Sequence, residues 1–583
     1  MTALASRTVF ARRYVLPWAP WYAAGIVALI ATNALSVAIP LQVASAVDAL
    51  SVQGGSASIP GHALRVGVMG LVVIAVRTVS RVAFFDPGRN IEAAVKHDLF
   101  ERLLRQQPPF LARHAPGDLV SRSSADLNNI RLLVGFGFLQ AVNTVAAVGL
   151  AGAQMLRMSP TLAVATLIPI AAAMAANNLS IRRFYVIVRD IQAALSDISD
   201  HVLSTYQGIG TVQGFGAESA FQQRFDVQNE AYANAAQRRA NLRVVLGPAL
   251  ALAASFDVFL LLWIGSPRVL AHELTVGELV AWITLIGMLI NPLRGVSFLA
   301  QIWKQAEVSL DRLGEVMDPE PERPDLPNPV PPPARPPAID VRGLTFTWPG
   351  APSPSLSDVS FHIEGGQTLG VFGATGSGKT TLLRCLARLH NPPAGTVFVD
   401  GADVRTLDLD AWRRGISVVP QRAWLFSESL ADNVLLGGPD QGRLARILGA
   451  VTLDNDVAHL PQGTASVVGE SGIMLSGGQR QRVALARGLL RDDVGVLMLD
   501  DVLSAVDATT ERTLVDALKS AVRRPTTLLV SHRVSALQHA DSIIVLDHGR
   551  IIDQGSHAEL AARPGPYRDT LRLQQDHAAV VEE

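Results

Sequence analysis

The chain of 583 residues holds a single cysteine, Cys385, which excludes an intrachain disulfide and any cysteine-based metal cluster. Cys385 sits in an apolar helical stretch and is expected to be a small core residue. Charge is also scarce. Asp, Glu, Lys and Arg make up 17% of the chain, below the ~25% of an ordinary soluble domain. Neither sign dominates: the formal net charge is −1, so nothing points to a polyanionic partner such as nucleic acid. A cleavable leader is not expected. Arg7, Arg12 and Arg13 precede an apolar run that is too long for the core of a signal peptide and lacks a convincing small-residue cleavage site.

Apolar sequence takes the place of the missing charge. Such residues reach 49% and mean hydropathy is +0.27, a combination that suits a chain half in a membrane and half in water. Residues 14–47 carry no Asp, Glu, Lys or Arg, and ~20 apolar residues suffice to cross a bilayer as helix. Trp18, Trp21 and Tyr22 stand where an interfacial aromatic belt would lie. A weaker second span, 66–76, is interrupted by Arg77 and Arg81. Clean third and fourth spans, 132–156 and 158–181, meet around Arg157. The fifth, 244–264, contains Asp257, and 279–293 forms the core of a sixth. Arg77 and Arg81 face the cytosolic end, face a wet cavity or snorkel. Asp257 either lines a pathway or pairs with a neighbouring helix.

Lys and Arg concentrate in the N-terminal arm and in segments 89–131 and 182–243, while the other connections hold few. Positive residues favour the cytosol, so the N-terminus is expected inside and six spans return the chain to the cytoplasm. The two inner connections read as helix. Ile91, Val95, Leu99 and Leu103 recur at helical spacing, as do Ile191, Leu195, Ile198 and Val202. The expected organisation is a transmembrane domain with long cytosolic helical extensions over 1–317, a connector over 318–337 and a soluble domain over 338–583. The connector holds too much proline for helix or central strand and is expected to be extended and semi-rigid.

In the soluble part, Leu369-Gly370-Val371-Phe372 is a short apolar strand. It runs into Gly373-Ala374-Thr375-Gly376-Ser377-Gly378-Lys379-Thr380, and then into a helix beginning near Thr381. This is G-x-x-x-x-G-K-[ST] in its strand–loop–helix setting. Glycines let backbone N–H groups turn toward phosphate oxygens, and the helix N-terminus adds its positive end. Lys379 supplies a charge to the β- and γ-phosphates, and the Thr380 hydroxyl can ligate Mg²⁺. Downstream, residues 494–499 form a buried strand ending in Asp500 and Asp501, and a carboxylate there meets the metal beside the phosphate loop.

Between these lies Leu475-Ser476-Gly477-Gly478-Gln479, which is similar to the signature of the ATP-binding cassette (ABC) family. Ser476, Gly477 and Gly478 open a helix whose N-terminus can grip a second phosphate face. The resemblance covers nearly the whole chain and implies its fold. That fold is an all-α, six-helix exporter-type transmembrane domain plus an α/β P-loop nucleotide-binding domain. It also implies ATP and Mg²⁺ as ligands. Trp348 resembles the aromatic that stacks on adenine. Gln421 resembles the glutamine that contacts Mg²⁺ and signals to the membrane half. His532 resembles the histidine at the γ-phosphate, and Ser504 to Asp507 the loop facing the opposite subunit. Gly469 to Gly472 resembles a segment that contacts the membrane half. Gly117 to Arg122 with Asp126, and Gly210 to Phe215 with Glu218 and Phe221, resemble the two coupling segments.

The departure is Asp501, where members that hydrolyse ATP well carry Glu. A side chain one methylene shorter leaves the carboxylate about 1–1.5 Å farther from the attacking water, and misplacement of that size costs ~100-fold in rate. The resemblance therefore implies one half of a dimeric exporter in the inner, cytoplasmic membrane. Its own phosphate loop builds a weak site, and its LSGGQ serves a strong site on a different subunit that carries Glu. A homodimer with two slow sites is the alternative, since His532 is intact. The expected cargo is amphipathic or hydrophobic: drugs, lipids or peptides. An importer with exporter architecture, for example for a siderophore, and a non-transporting ATP-gated channel or regulator are the competing functions.

Overall fold

The computed structural model describes residues 7–50, 58–106, 108–318, 329–333, 336–469, 473–491, 494–502 and 524–582. The chain forms two compact units. One comprises Met1–Arg105 and Ala115–Pro319, the other Gln106–His114 and Glu320–Glu583.

The first unit is built on six long helices: α1 (Ala19–Leu50), α2 (Ile59–Arg105), α3 (Phe138–Met158), α4 (Pro160–Gln207), α5 (Glu218–Leu270) and α6 (Val276–Met317). At 1.5 Å per residue, the 53 residues of α5 extend ~80 Å, far beyond a ~30 Å hydrocarbon core. The helices α2, α4 and α5 therefore continue well beyond the spans into the inner connections, as their periodicity indicates, before short helices and turns complete each connection. Over the described residues, the helical stretches Arg7–Leu50, Ile59–Arg105 and Pro116–Met158 are long and apolar enough to cross a membrane. Pro160–Ala172 and Val276–Ile290 are shorter apolar stretches. Arg77 and Arg81 do not break α2, and both are exposed on this unit.

Local sequence sets the helix boundaries. Ser159 is extended (φ −159°, ψ 109°), and Pro160 then starts α4 where its missing N–H costs nothing. This puts the third turn of the chain two residues past Arg157. At the start of α6, Thr275 and Glu278 form a reciprocal cap. Asp48 accepts from Thr275 Oγ1 at 2.7 Å and from the Gly277 backbone at 2.8 Å, tying the end of α1 to the start of α6. A Cβ at Gly277 would lie 2.2 Å from the Ala44 carbonyl, so only glycine permits this approach. An apolar core joins Val37, Met155, Leu162, Leu261, Trp282 and Leu289 from five of the six helices. Tyr22, Phe84 and Phe138 meet tilted or edge to face, with ring centroids 5.3–5.8 Å apart.

Among its described residues, the second unit holds two sheets. Strands β1 (Ile339–Phe346), β2 (Leu356–Ile363), β4 (Val397–Val399) and β5 (Ala402–Asp403) form a four-stranded antiparallel sheet in the order β2-β1-β4-β5. The larger sheet has the order β10-β9-β3-β8-β7-β6. Its strands are β3 (Thr368–Phe372), β6 (Ile416–Val419), β7 (Val496–Asp500), β8 (Thr526–Ser531), β9 (Ser542–Asp547) and β10 (Arg550–Gly555). All its pairings are parallel except β9–β10. β7 and β8 are buried along their whole length, as strands covered on both faces must be. One core fills the space around β1, β2 and the helix α7 (Lys379–Leu386), with Cys385 fully buried in it. A second core lies under α8 (Gly477–Leu489) and the C-terminal helix α9 (Pro566–Glu582). Most of the proline-rich connector lies outside the described residues. Val330 within it is held by backbone hydrogen bonds to Thr406 (3.0 Å) and from Asp408 (2.9 Å).

Candidate nucleotide site

Parallel strands present their C-terminal ends along one edge, and that edge collects the chemistry. In register, Phe372 on β3 lies opposite Ser531 on β8, Val530 opposite Asp500 on β7, and Leu499 opposite Val419 on β6. The residues that leave these ends are Gly373, His532, Asp501 and Gln421. Four sites separated by up to 159 positions in sequence become neighbours because their strands are parallel and adjacent.

The phosphate loop curls as its glycines allow. A Cβ at Gly373 would stand 2.3 Å from the Leu546 carbonyl, and Gly378 adopts φ +104°. Lys379 Nζ donates to the Gly373 and Ala374 carbonyls, both at 2.7 Å, so its ammonium is aimed across the loop. Burial pushes the Lys379 pKa down, while the nearby Asp501 and Asp500 push it back up. Thr380 donates its hydroxyl to Asp500 at 2.9 Å. Burial raises the Asp500 carboxyl above the ordinary carboxylate range, against the Thr380 hydrogen bond and the Arg384 and Lys379 charges.

Asp501 adopts φ +51°, a left-handed conformation that Asp tolerates better than most residues. Both of its oxygens lie beside His532 Nδ1, at 3.0 and 3.1 Å, and Gln421 Nε2 is 3.5 Å from one of them. A carboxylate only accepts, so His532 Nδ1 carries the hydrogen. A cleft of about 610 Å³ takes in Thr375, Gly376, Gly378, Lys379, Thr380, Thr381, Gln421, Asp500, Asp501 and His532, with Ser353 to Ser355, Ser357, His548 and Gly549 on its rim. The donor set fits a magnesium nucleotide: a hydroxyl and a carboxylate 2.9 Å apart supply the hard oxygens such a cation takes. The loop backbone and a lysine supply the phosphate cradle.

Other expected residues lie apart from this cleft. Trp348, half-buried, meets Phe346 and His390 edge-on at 5.5 and 4.5 Å, and Arg384 lies 5.9 Å from its ring. It is not among the cleft's lining residues. Nor are Ser476, Gly477, Gly478 and Gln479. Ser476 caps α8, accepting from Gln479 N at 3.2 Å, while Gln479 Oε1 accepts from Ser476 N at 2.8 Å. The segment from Ser504 to Asp507, and Glu470 to Gly472, lie outside the described residues.

The stretch that resembles the first coupling segment is tied to α6 within the same unit. Arg312 reaches Asp118 at 2.5 Å and Asp126 at 3.0 Å. Arg122 pairs with Asp118 at 2.8 Å and Glu315 at 2.8 Å, and donates to the Arg312 carbonyl. Burial opposes ionisation of Asp118, yet the Arg312 and Arg122 hydrogen bonds hold its carboxyl below the usual range. The second segment, the short helix Ile209–Gly214, closes with Gly216 at φ +61° before α5.

Three supporting residues carry no sequence signal. Asp456 accepts from Gln479 Nε2 at 2.8 Å and from Arg482 at 2.6 Å. Gln574 on α9 brackets the His532 segment, donating to the His532 carbonyl at 3.1 Å and accepting from Val534 N at 3.0 Å. Arg312 lies 186 positions from its partner Asp126. No linear spacing announces pairs so distant.

A parallel-sheet phosphate site on one unit and a bundle of long apolar helices on the other define an ATP-using membrane transporter. Residues 22–293 match the ABC transporter transmembrane region and residues 356–504 the ABC transporter domain. The chain is 31% identical to the probable multidrug resistance ABC transporter ATP-binding/permease protein YheI of Bacillus subtilis, over 95% of each chain. It is 32% identical to the multidrug resistance-like ATP-binding protein MdlA of Escherichia coli, over 88% of this chain and 87% of that one. It is also 32% identical to the ATP-dependent lipid A-core flippase of Pseudomonas aeruginosa, over 82% and 80%. The structure of a bacterial Atm1-family ABC exporter with ATP bound superposes with a TM-score of 0.78 at 24% identity, over 97% of this chain and 98% of that one, and shares its fold. The chain belongs to the ABC transporter family and has the exporter-type fold.

Proposed function

We propose that this chain is one half of a dimeric exporter of amphipathic or hydrophobic molecules, and that its own ATP site binds nucleotide but hydrolyses it slowly. The observation that carries the second part is the Asp501 carboxylate, engaged through both oxygens by His532 Nδ1. A carboxylate so held, on a side chain one methylene short, is poorly placed to orient and deprotonate a water at the γ-phosphate. Relatives named for multidrug resistance and for lipid A-core flipping support apolar or amphipathic cargo.

In this reading the Gly373 to Gly378 backbone and Lys379 bind the β- and γ-phosphates, and Thr380, Asp500 and Gln421 hold Mg²⁺. The ion neutralises phosphate charge when bound. With Nδ1 donating to Asp501, His532 donates to a phosphate oxygen through Nε2 only when its ring carries both protons. Trp348 stacks on the adenine, and Asp507 faces the opposite subunit. Ser476 to Gln479 meet the nucleotide of that subunit, which carries Glu after its metal-binding Asp. ATP-driven closure pulls on the coupling segments, and the bundle turns its cavity from inside to outside.

Because His532 is present and engaged, a homodimer with two slow sites is the second reading. The test is purification with and without the product of the adjacent reading frame, followed by nucleotide binding, ATPase and vesicle transport assays. Activity that needs the second subunit and survives Asp501→Asn is expected. A purified homodimer with brisk turnover, equally indifferent to Asp501→Asn, would refute the weak-site reading.

A further inference from the structure

Asp257 is the only charged residue of α5 between Arg243 and Arg268. At 1.5 Å per residue it lies ~21 Å and ~16 Å from those two positions, which is mid-depth for a membrane span. Its side chain has no exposed surface, and neither carboxylate oxygen has a hydrogen-bond partner. One turn along α5, Leu261 packs in the apolar cluster that holds Trp282. The Trp282 indole N–H is also buried and unpaired.

Among the described residues, no opposite charge pairs with it. The long helices packed against α5 are α4 and α6. On α4, residues 160–181 contain no Asp, Glu, Lys, Arg or His. On α6, the charged residues nearest this depth are Glu278, engaged in the Thr275 cap, and Arg294. Arg268, on α5 itself, donates to Ser159 and pairs with Glu273. The short helix Ile209–Gly214, which precedes α5, is uncharged. An ionised carboxylate without partner or water is far costlier in such a place than a neutral acid. A partner-free acid also adds nothing to packing that Leu or Asn would not.

We propose that Asp257 is a proton-binding site inside the membrane half, protonated in the packed arrangement described here and deprotonated when the transport cycle parts α5 from its neighbours. The step is simple: the carboxyl O–H breaks, the electron pair stays on the carboxylate, and the proton passes to water admitted by the opening. Repacking reverses it. The inference rests on the transport reading above and adds a proton step to it.

The test is infrared difference spectroscopy of the full transporter in lipid vesicles, nucleotide-free and with Mg²⁺ and a non-hydrolysable ATP analogue. The expected result is a protonated-carboxyl C=O band that shifts in D₂O and is lost in Asp257→Asn. The band moves in Asp257→Glu, which keeps the acid should the Asn variant fail to fold, and it loses intensity with the analogue. A band that neither substitution alters, or that nucleotide leaves unchanged, overturns the proposal. In parallel, ATP-dependent movement of a neutral lipophilic fluorescent probe is followed in the same vesicles. Absent probe movement with a responsive band would remove the transport reading and keep the proton site. Probe movement with an unresponsive band would remove the proton site.

Discussion

Lengthening one side chain tests the weak ATP site most directly. In Asp501→Glu the carboxylate advances by one C–C bond, ~1.5 Å. Asp501 is 13% exposed and is held at 3.0 and 3.1 Å by His532, so the longer side chain must leave that contact and project into the cleft. A misplacement near 1 Å costs ~100-fold, about 2.7 kcal/mol at 1.36 kcal/mol per tenfold. The backbone at φ +51° costs Glu about 1 kcal/mol of folded stability, because Glu lacks the local hydrogen bonding that eases Asp. That strain is common to the ground and transition states and does not enter the rate, so the expected gain in hydrolysis at this site is up to about 100-fold. The assay is phosphate release from the assembled transporter at saturating Mg²⁺-ATP, with the other site silenced if the second subunit differs. Asp501→Asn is expected to change the same rate by less than about twofold, since it removes a base that is already out of place. No gain with Glu, together with a ~100-fold loss with Asn, would show that Asp501 already serves as an effective base, and the reasoning would fail.

Three further outcomes are expected. Because burial raises the Asp500 carboxyl, its contribution to folded stability is complete below the ordinary carboxylate range and is lost as pH rises through the raised value. Mg²⁺ needs the ionised form, so Mg²⁺-ATP affinity should fall as pH drops through that same raised value; calorimetry showing flat affinity down to the ordinary carboxylate range would contradict this. Arg312→Ala leaves the buried Asp126 with the Ser309 hydroxyl alone at 2.8 Å. Removing one partner of a buried pair costs ~3–5 kcal/mol, and because Arg312 is a third exposed the loss should be about 2 kcal/mol, read as a lowered Tm in detergent. A change under about 0.5 kcal/mol would mark the network as an ordinary surface cluster. Trp348→Ala should weaken ATP binding by about 1–3 kcal/mol, the range for an aromatic ring stacked on a base, while Trp348→Tyr restores it. Unchanged affinity with lowered stability would make Trp348 a packing residue beside His390.

The parts written in the sequence are those that local chemistry dictates. The phosphate loop needs glycine at Gly373 and Gly378 because backbone approach and positive φ allow nothing larger, so the motif is visible wherever the geometry exists. The buried strand before Asp500 and the apolar helices announce themselves by composition for the same reason. The heptad-like stripes at 91–103 and 191–202 foretold helix beyond the spans, and α2 and α4 run through both. The relation between the parts was not legible. That Asp501 grips His532, that Gln574 brackets His532, and that Arg312 joins Asp118 to Asp126 are consequences of strand order and helix packing. They use residue types found all over protein surfaces. Arg77 and Arg81 interrupt the apolar run but not the helix, since the backbone hydrogen bonds of α2 do not depend on side-chain polarity.

The cap at the head of α8 has a consequence of its own. A hydroxyl accepts and donates at once. Ser476 uses a lone pair toward the amide of Gln479, which leaves its hydrogen free to point outward. A phosphate oxygen arriving from another molecule would meet a donor already set in place, beside backbone amides that the helix cannot pair internally. Such a surface asks nothing of its own fold on docking. In the dimeric reading proposed above, the cost of docking would fall on bringing two bodies together.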